Sequence, residues 1–213
     1  PFFHGGNGAD GGGIANEGAL GIERSPLAFN HTASGGSTGG GSHSAGGSGG
    51  AGGGIFNQGL LTIRNSTVSN NGTGGGGSAN ARGGNGGNGG GLANLGTLRL
   101  SQGTVAANFV GSGGSGLFGE GQPGLGGGIF NQGTVEILSS IAAMNTNPVP
   151  EGGVDCSGVL TSFSYNLVET TTGCTLAGVL TGNLVDMPAG LATLGDNGGG
   201  MLTHALLPTG PAI

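Results

Sequence analysis

The chain has 213 residues, 58 of them glycine, and a formal net charge of −6 at pH 7. Glycine is therefore several times more frequent than its usual share of roughly 7%, but no strict Gly-X-Y period is present, which excludes collagen. Four Arg and no Lys leave no basic cluster for phosphate groups, which excludes nucleic acid as a partner, and no apolar run approaches the roughly 18 residues of a membrane-spanning helix.

A unit of 20 residues begins with a Gly triplet, ends in Asn and occurs four times, at 11–30, 52–71, 89–108 and 126–145. Within each copy, apolar residues alternate with other residues, which is typical of strands with one buried face. Gly and Asn bound these short stretches, and both tolerate the left-handed backbone of a sharp corner. Three strands and three corners in about 20 residues predict one coil of a parallel β-helix.

Two Asn positions recur in every copy of the unit. Stacked coils place equivalent residues about 4.8 Å apart, so each side-chain amide can bond the amides above and below it. An amide buried without such a partner would cost on the order of 1–3 kcal/mol. We therefore predict two structural ladders, formed by Asn16, Asn57, Asn94 and Asn131 and by Asn30, Asn71, Asn108 and Asn145.

Inserts rich in Gly, Ser and Asn separate the copies, at 31–51, 72–88 and 109–125. All three leave a coil after its second Asn and return at the next Gly triplet, so they emerge at the same corner. Their composition is typical of solvated flexible loops. The alternative is that they stack into an ordered glycine-rich ridge, and the sequence alone leaves both interpretations open.

The pattern changes after Asn145, as expected for the terminal coils that cap a solenoid. Cys156 and Cys174 enclose about one coil's length, so they can face each other across one rung. We predict a disulfide between them, which contributes about 3 kcal/mol by closing the loop. The predicted fold is an all-β, right-handed parallel β-helix in a single domain over 1–213, with regular coils at 11–145 and atypical ones at 146–213.

The repeat "GGGIFNQGTVEI" resembles the coil repeat of secreted bacterial right-handed parallel β-helix proteins, in a style similar to the GGA-Ile repeats of polymorphic outer-membrane proteins. The C-terminal run contains "DCSGVLTSFSYNLV" and "LGDNGGGMLTHALLPTGPAI" and resembles the closing module of bacterial choice-of-anchor surface proteins. That family usually has Pro where Gly200 stands. The resemblance implies an exported surface or matrix protein but no particular ligand, since solenoids host both lyases and adhesins.

Residues for catalysis or metal binding show no recognisable pattern. Polysaccharide-cleaving enzymes need clustered carboxylates on one external face, whereas Glu17 and Glu136 are isolated within their coils and are interpreted as surface charges. The four His residues lack metal-ligand spacing, and His204 is interpreted as structural. The stretch "GDNGGG" at 195–200 lacks the alternating acids of a calcium loop and is interpreted as a tight turn. We predict no enzymatic activity, no cofactor and no metal site.

Three Asn-x-Ser/Thr sequons, at Asn30, Asn65 and Asn71, are candidate glycosylation sites. Asn30 and Asn71 also belong to a predicted ladder, where a glycan would compete with stacking. Asn65 is therefore the best of the three candidates.

These observations favour a non-enzymatic structural or adhesive protein, located outside the cell or on its surface. We expect a homo-oligomer or a head-to-tail polymer, because a β-helix has unpaired backbone groups at both ends and the apolar pair Phe2–Phe3 lies close to the first coil. One alternative is a β-helix protein that binds or degrades polysaccharide. The other is a passenger segment of a larger autotransported surface protein.

Overall fold

The structure, a computed structural model, describes residues 3–39, 41 and 43–212. Phe2, one of the two apolar residues expected at the open end, lies outside the described residues. The strands, in chain order, are β1 (Ile14–Asn16), β2 (Ala19–Glu23), β3 (Pro26–Ala28), β4 (Ile55–Asn57), β5 (Leu60–Arg64), β6 (Thr67–Ser69), β7 (Leu92–Asn94), β8 (Thr97–Ser101), β9 (Thr104–Ala106), β10 (Ile129–Asn131), β11 (Thr134–Leu138), β12 (Ile141–Ala143), β13 (Cys156–Phe163), β14 (Leu167–Val168), β15 (Cys174–Val179), β16 (Leu184–Val185), β17 (Leu191–Asp196) and β18 (Leu202–Leu206). A 3₁₀ turn, Pro150–Gly152, precedes β13.

The fold is an all-β parallel β-solenoid, as predicted. Each copy of the repeat contributes three strands, and equivalent strands of successive copies pair in parallel and in register, with Ile14 opposite Ile55 and Asn16 opposite Asn57. The third strands stack in the order β3-β6-β9-β12-β14-β16. The long strand β13 pairs with both β10 and β11, so the first and second stacks join into one sheet.

Aliphatic side chains from all three stacks fill the interior of the solenoid. Because each coil repeats the pattern of the coil beneath it, equivalent side chains lie on one another and exclude water from the inner coils, while Ile14, Leu20 and Leu27 of the first coil are partly buried. The members with 1% exposure or less are Ile55, Leu61, Ile63, Val68, Leu92, Leu98, Val105, Ile129, Val135, Leu160 and Val168.

The corners are less selective for residue type than the sequence predicted. The first Gly of each triplet has a left-handed backbone, as at Gly52 with φ 66°. Two further corners in each copy are also left-handed, and residues as different as Phe29, Ala107 and Met144 occupy one of them, with φ between 56° and 61°. The parallel pairing on both sides of such a corner imposes the conformation, because a local cost of about 1–2 kcal/mol is small beside the paired strands.

Close packing explains the other two glycines of the triplet. A Cβ on Gly53 would lie 2.3 Å from the carbonyl oxygen of Gly90 in the next coil. A Cβ on Gly54 would lie 2.7 Å from the carbonyl oxygen of Gly91 and 3.1 Å from the side-chain amide of Asn71. The triplet therefore makes one corner and two close approaches, which is why the sequence repeats it.

The C-terminal hairpin packs against the side of the solenoid. The disulfide between Cys156 and Cys174 is confirmed, and it joins the neighbouring strands β13 and β15. Strands β17 and β18 form an antiparallel hairpin whose turn includes Gly198, and the backbone N–H of Gly198 donates to Asp196. His204 lies 2.8 Å from the hydroxyl of Ser69 and 2.7 Å from the carbonyl oxygen of Ala192, so it holds the hairpin against the second coil.

Candidate interaction surface

The three inserts form one ordered body, which we call the ridge. It consists of outgoing arms, which leave the solenoid, and returning arms, which run back to the Gly triplets. The outgoing arms are 31–38, 72–79 and 109–116; the returning arms are 45–52, 82–89 and 119–126, and 4–11 forms a further arm of the returning layer. Of the two interpretations that the composition left open, the ordered ridge is therefore correct.

Hydrogen bonds join the returning arms side by side at every third residue. The backbone N–H groups of Gly46, Gly49 and Gly52 donate to the carbonyl oxygens of Arg82, Asn85 and Asn88 at 2.8–2.9 Å. The same pattern joins 4–11 to 45–52 and 82–89 to 119–126. A period of three residues is that of the polyproline II helix, which has no internal hydrogen bonds and leaves all its backbone groups free for neighbours.

Further hydrogen bonds join the two layers. Gly84 donates to the carbonyl oxygen of Gly77 at 2.9 Å, and Gly77 donates to Gly47 of the preceding returning arm at 2.8 Å. At the base of the ridge, Thr73 accepts from the backbone of Gly111 and donates to the carbonyl oxygen of Gly87. Each inner arm is thus bonded to neighbours in both layers, which prevents the arms from moving independently.

Glycine fills the positions where arms meet because no side chain fits there. A Cβ on Gly46, Gly84 or Gly121 would lie 1.7–1.9 Å from a carbonyl oxygen of a neighbouring arm. In the arm 45–52, the residues that carry side chains stand at every third position: Ala45, Ser48 and Ala51. The returning arms 45–52 and 82–89 therefore follow a local X-Gly-Gly period, which the arm 119–126 keeps except at Glu120 and Pro123. The sequence analysis missed this period.

The outer face of the returning layer carries a shallow groove of about 600 Å³, lined by both polar and apolar residues. Asn85 and Asn88 use their side-chain oxygens to accept the backbone N–H groups of Gln122 and Leu125 at 2.9 and 2.8 Å. Within the part of the chain that the structure describes, the amide nitrogens of these two residues donate no hydrogen bond. Val149 contributes an apolar wall to the same groove.

The outgoing layer presents hydroxyl groups, and the ridge ends in apolar side chains. Ser78 and Ser115 donate their backbone N–H groups to the hydroxyl oxygens of Ser37 and Ser78 at 3.0 and 3.2 Å, which forms an exposed hydroxyl row. At the tip of the third insert, Leu117 is 81% exposed and Phe118 is 68% exposed. The backbone of Phe118 is fixed nevertheless, because its N–H donates to the carbonyl oxygen of Ala81 at 2.8 Å.

Both Asn series lie where the solenoid meets its corners, and the structure brings the members of each series together. In the first series, side-chain amides donate to the next side-chain oxygen at 2.7–2.9 Å, from Asn16 through Asn57 and Asn94 to Asn131. In the second, the distances are 2.9–3.0 Å, from Asn30 through Asn71 and Asn108 to Asn145. The side-chain oxygens of Asn71, Asn108 and Asn145 also accept a backbone N–H from the Asn of the coil before.

The second series ends on a buried carboxyl group that the sequence analysis did not single out. Asp155 has no exposed surface, and its oxygens accept from the side chain of Asn145 at 2.8 Å and from the backbone of Thr170 at 2.8 Å. Burial raises the pKa of Asp155 from 3.8 to about 6, and the hydrogen bonds from Asn145 and Thr170 oppose part of that rise. A carboxyl therefore continues the ladder where the repeat stops.

Glu136 is paired across coils, a contact that the interpretation of each coil by itself did not include. Arg99 Nε donates to Glu136 Oε2 at 2.9 Å, across neighbouring second strands. The two residues stand at equivalent positions of successive copies, which is the signal that could have predicted the contact.

The candidate glycosylation sites differ in their surroundings. Asn71 is fully buried, and its side-chain amide donates to Leu27 and Asn108. Asn30 is partly exposed and donates to Asn71, whereas Asn65 is partly exposed at a left-handed corner with φ 47°. A glycan on Asn71 would require the ladder to open, so Asn65 stays the preferred site.

No protein-family model, curated protein or solved structure matches the chain. Among the described residues, no group of three or more His, Cys, Asp and Glu side chains is placed to hold a metal ion. The described residues also form no helix with the length and hydrophobicity needed to cross a bilayer.

Proposed function

We propose that the protein is a non-enzymatic structural or adhesive protein of the extracellular space or the cell surface, and that the ridge is its working surface. The single observation that carries the proposal is a rigid glycine ridge with exposed apolar side chains, Leu117 and Phe118, at its tip. The disulfide is compatible with this location, because disulfides persist in oxidising compartments.

Rigidity supports adhesion on physical grounds. Binding costs the free energy of ordering the groups that make contact, about 0.5–1.5 kcal/mol for each flexible side chain. Hydrogen bonds within and between layers already order the backbone of the arms, so binding at the tip has to order mainly the side chains that make contact. Apolar residues that are exposed in the free protein then contribute the free energy of burying their surface to the contact.

Adhesion can be tested with a quartz crystal microbalance that records retention of the purified chain on methyl-terminated and hydroxyl-terminated surfaces. The double variant Leu117→Ser/Phe118→Ser should lose most of its retention on the methyl surface. The control is Val179→Ser/Leu180→Ser, which removes another adjacent apolar pair with 50% and 54% exposure away from the ridge. Equal retention of both variants would contradict the proposed role of the tip.

We further propose that copies associate end to end. Strands β1, β2 and β3 form free edges of their stacks within the described residues, and a free parallel edge has unpaired N–H and C=O groups. A head-to-tail contact repeats itself and generates a filament. Analytical ultracentrifugation should show mass increasing with protein concentration, and a stable monomer at high micromolar concentration would exclude the polymer.

One alternative has a specific observation in its favour. The groove on the returning layer offers amide groups from Asn85, Asn88 and Gln122 beside the apolar Leu125, a combination suited to a neutral polysaccharide. Binding to a panel of neutral glycans, lost in the variant Asn85→Ala/Asn88→Ala, would favour this alternative. Release of shorter saccharides from the same panel would favour a degrading enzyme and contradict the main proposal.

A further inference from the structure

A second surface, which is not part of the ridge, carries charged side chains. The outward face of the second-strand stack contains a cleft of about 200 Å³, which is smaller than a pocket for a drug-sized ligand and suits a group the size of one sugar ring. Its polar lining consists of Thr62, Arg64, Arg99, Ser101 and Glu136. Two of the four Arg residues of the chain therefore line one small cleft.

The two guanidinium groups differ in what they already bind. Arg99 is engaged by Glu136, with side chains that are 55% and 33% exposed. Arg64 is exposed, and in the described part of the chain its side chain makes no hydrogen bond or ion pair, although Glu23 lies beside it in the register of the sheet. The cleft thus holds one free fork of N–H donors, whose planar geometry matches a carboxylate.

Phe163 forms the end wall of the cleft. Phe163 is 50% exposed, so part of its ring is accessible from the cleft that it lines. An exposed ring offers a flat apolar surface to the C–H face of a sugar. Thr62, Ser101 and the oxygen of Glu136 that Arg99 does not bind are available to sugar hydroxyl groups.

We propose that this cleft binds a uronic acid unit of an acidic saccharide. Arg64 holds the carboxylate, Phe163 packs against the ring, and the Arg99–Glu136 pair receives hydroxyl groups. Charge complementarity selects the ligand, because the guanidinium of Arg64 offers a positive partner for a carboxylate on a chain whose net charge is −6. The proposal is independent of the ridge and involves no chemical change of the ligand.

The binding test uses NMR titration of the ¹⁵N-labelled full chain, with methyl β-D-glucuronide and methyl β-D-glucoside as probes that differ at the carboxylate. The Nε–H signals of Arg64 and Arg99 should shift with the glucuronide and stay unchanged with the glucoside. Equal shifts with both probes, or no shift with the glucuronide at millimolar concentration, would overturn the proposal. Equal binding of glucose 6-sulfate would overturn the assignment to a carboxylate.

Substitutions locate the site. Arg64→Gln should weaken glucuronide binding by about tenfold. The reason is that losing a hydrogen bond to a charged group raises the dissociation constant by about tenfold or more. Arg82→Gln makes the same charge change on the ridge and should bind as the native chain does. Glu23→Gln should tighten binding, since it removes a competing carboxylate beside Arg64, and a preserved NMR spectrum checks the fold of each variant. Equal affinity of Arg64→Gln and Arg82→Gln would contradict the site.

Discussion

Asn108 illustrates how one buried side chain can join three coils. Its amide donates to Asn145 Oδ1 at 2.9 Å and to the carbonyl oxygen of Val68 at 3.0 Å. Its side-chain oxygen accepts both the backbone N–H and the side-chain amide of Asn71. Since Asn108 is completely buried, water cannot replace these partners when the side chain is removed.

We therefore expect Asn108→Ala to lower the free energy of unfolding by about 3–5 kcal/mol, because two donors of Asn71 lose their acceptor inside the protein. Asn7→Ala is the matched control: Asn7 is exposed, and its side-chain oxygen accepts a single backbone N–H, from Ser48. This change should cost about 1 kcal/mol or less. Urea denaturation measures both, and similar losses would mean that the ladder contributes little.

Asp155 gives the stability of the protein a pH dependence of unusual sign. Its pKa is about 6 when folded against 3.8 as the usual value, so between these pH values the folded chain binds more protons than the unfolded one. Stability from this group is therefore fully present below pH 3.8 and is lost as the pH rises through 6. The difference corresponds to about 3 kcal/mol at most.

The variant Asp155→Asn removes this titration. We expect the stability advantage of the native chain over the variant to shrink between pH 4 and pH 7, because only the native chain has a carboxyl to ionise at this site. Parallel stability curves across that range, measured by denaturation at each pH, would show that Asp155 titrates in its usual range.

At the scale of elements, the arms of the ridge depend on close approach between backbones. A Cβ on Gly84 would lie 1.9 Å from the carbonyl oxygen of Gly47, whereas nothing lies within 4 Å of a Cβ on Gly6. The colliding atom belongs to a backbone that is bonded to neighbouring arms, so it cannot move aside. The same Gly→Ala change should therefore have very different effects at the two positions.

We expect Gly84→Ala to destabilise the ridge by about 3 kcal/mol, which is the upper end of the usual cost of overpacking. Gly6→Ala should change stability by less than about 1 kcal/mol. Hydrogen exchange of the amides of residues 72–88 reports the ridge directly. Unchanged protection in Gly84→Ala would mean that the arms are held less tightly than their hydrogen bonds indicate.

The sequence predicted the elements that recur as copies. The strands of the four copies followed from repetition, because each coil must fit the coil beneath it. The disulfide followed from the spacing of its two Cys residues. The X-Gly-Gly period of the arms was also present, but it is confined to short inserts and disappears when the whole chain is searched for one period. Arg99 and Glu136 were overlooked because their charges were considered within single copies, although the register of stacked strands makes them neighbours.

At the scale of the whole molecule, the position of the C-terminal hairpin could not be predicted, because it has no copy in the sequence. Ser69, Ala106 and Ala143 occupy equivalent outward-facing positions of the third stack, yet all three have no exposed surface. The segment around β17 and β18 covers them, with Leu191 packed beside Ala106 and Ala143. The small side chains at this position are the feature of the repeat that indicates a covering segment.

Enlarging one of these small side chains should therefore displace the hairpin. Ala106→Leu adds three carbon atoms beneath Leu191, and overpacking of this kind costs about 1–3 kcal/mol, whereas a two-stranded hairpin is only marginally stable without packing against other elements. We expect faster hydrogen exchange and faster proteolysis within 187–212, with the protection of the core strands unchanged.

Ala106→Ser is the control for this variant, because the preceding coil carries Ser69 at the same position. It should leave the hairpin in place. Equal protection of 187–212 in both variants would mean that the contact with the third stack does not hold the hairpin, and that His204 and the turn at 195–200 suffice.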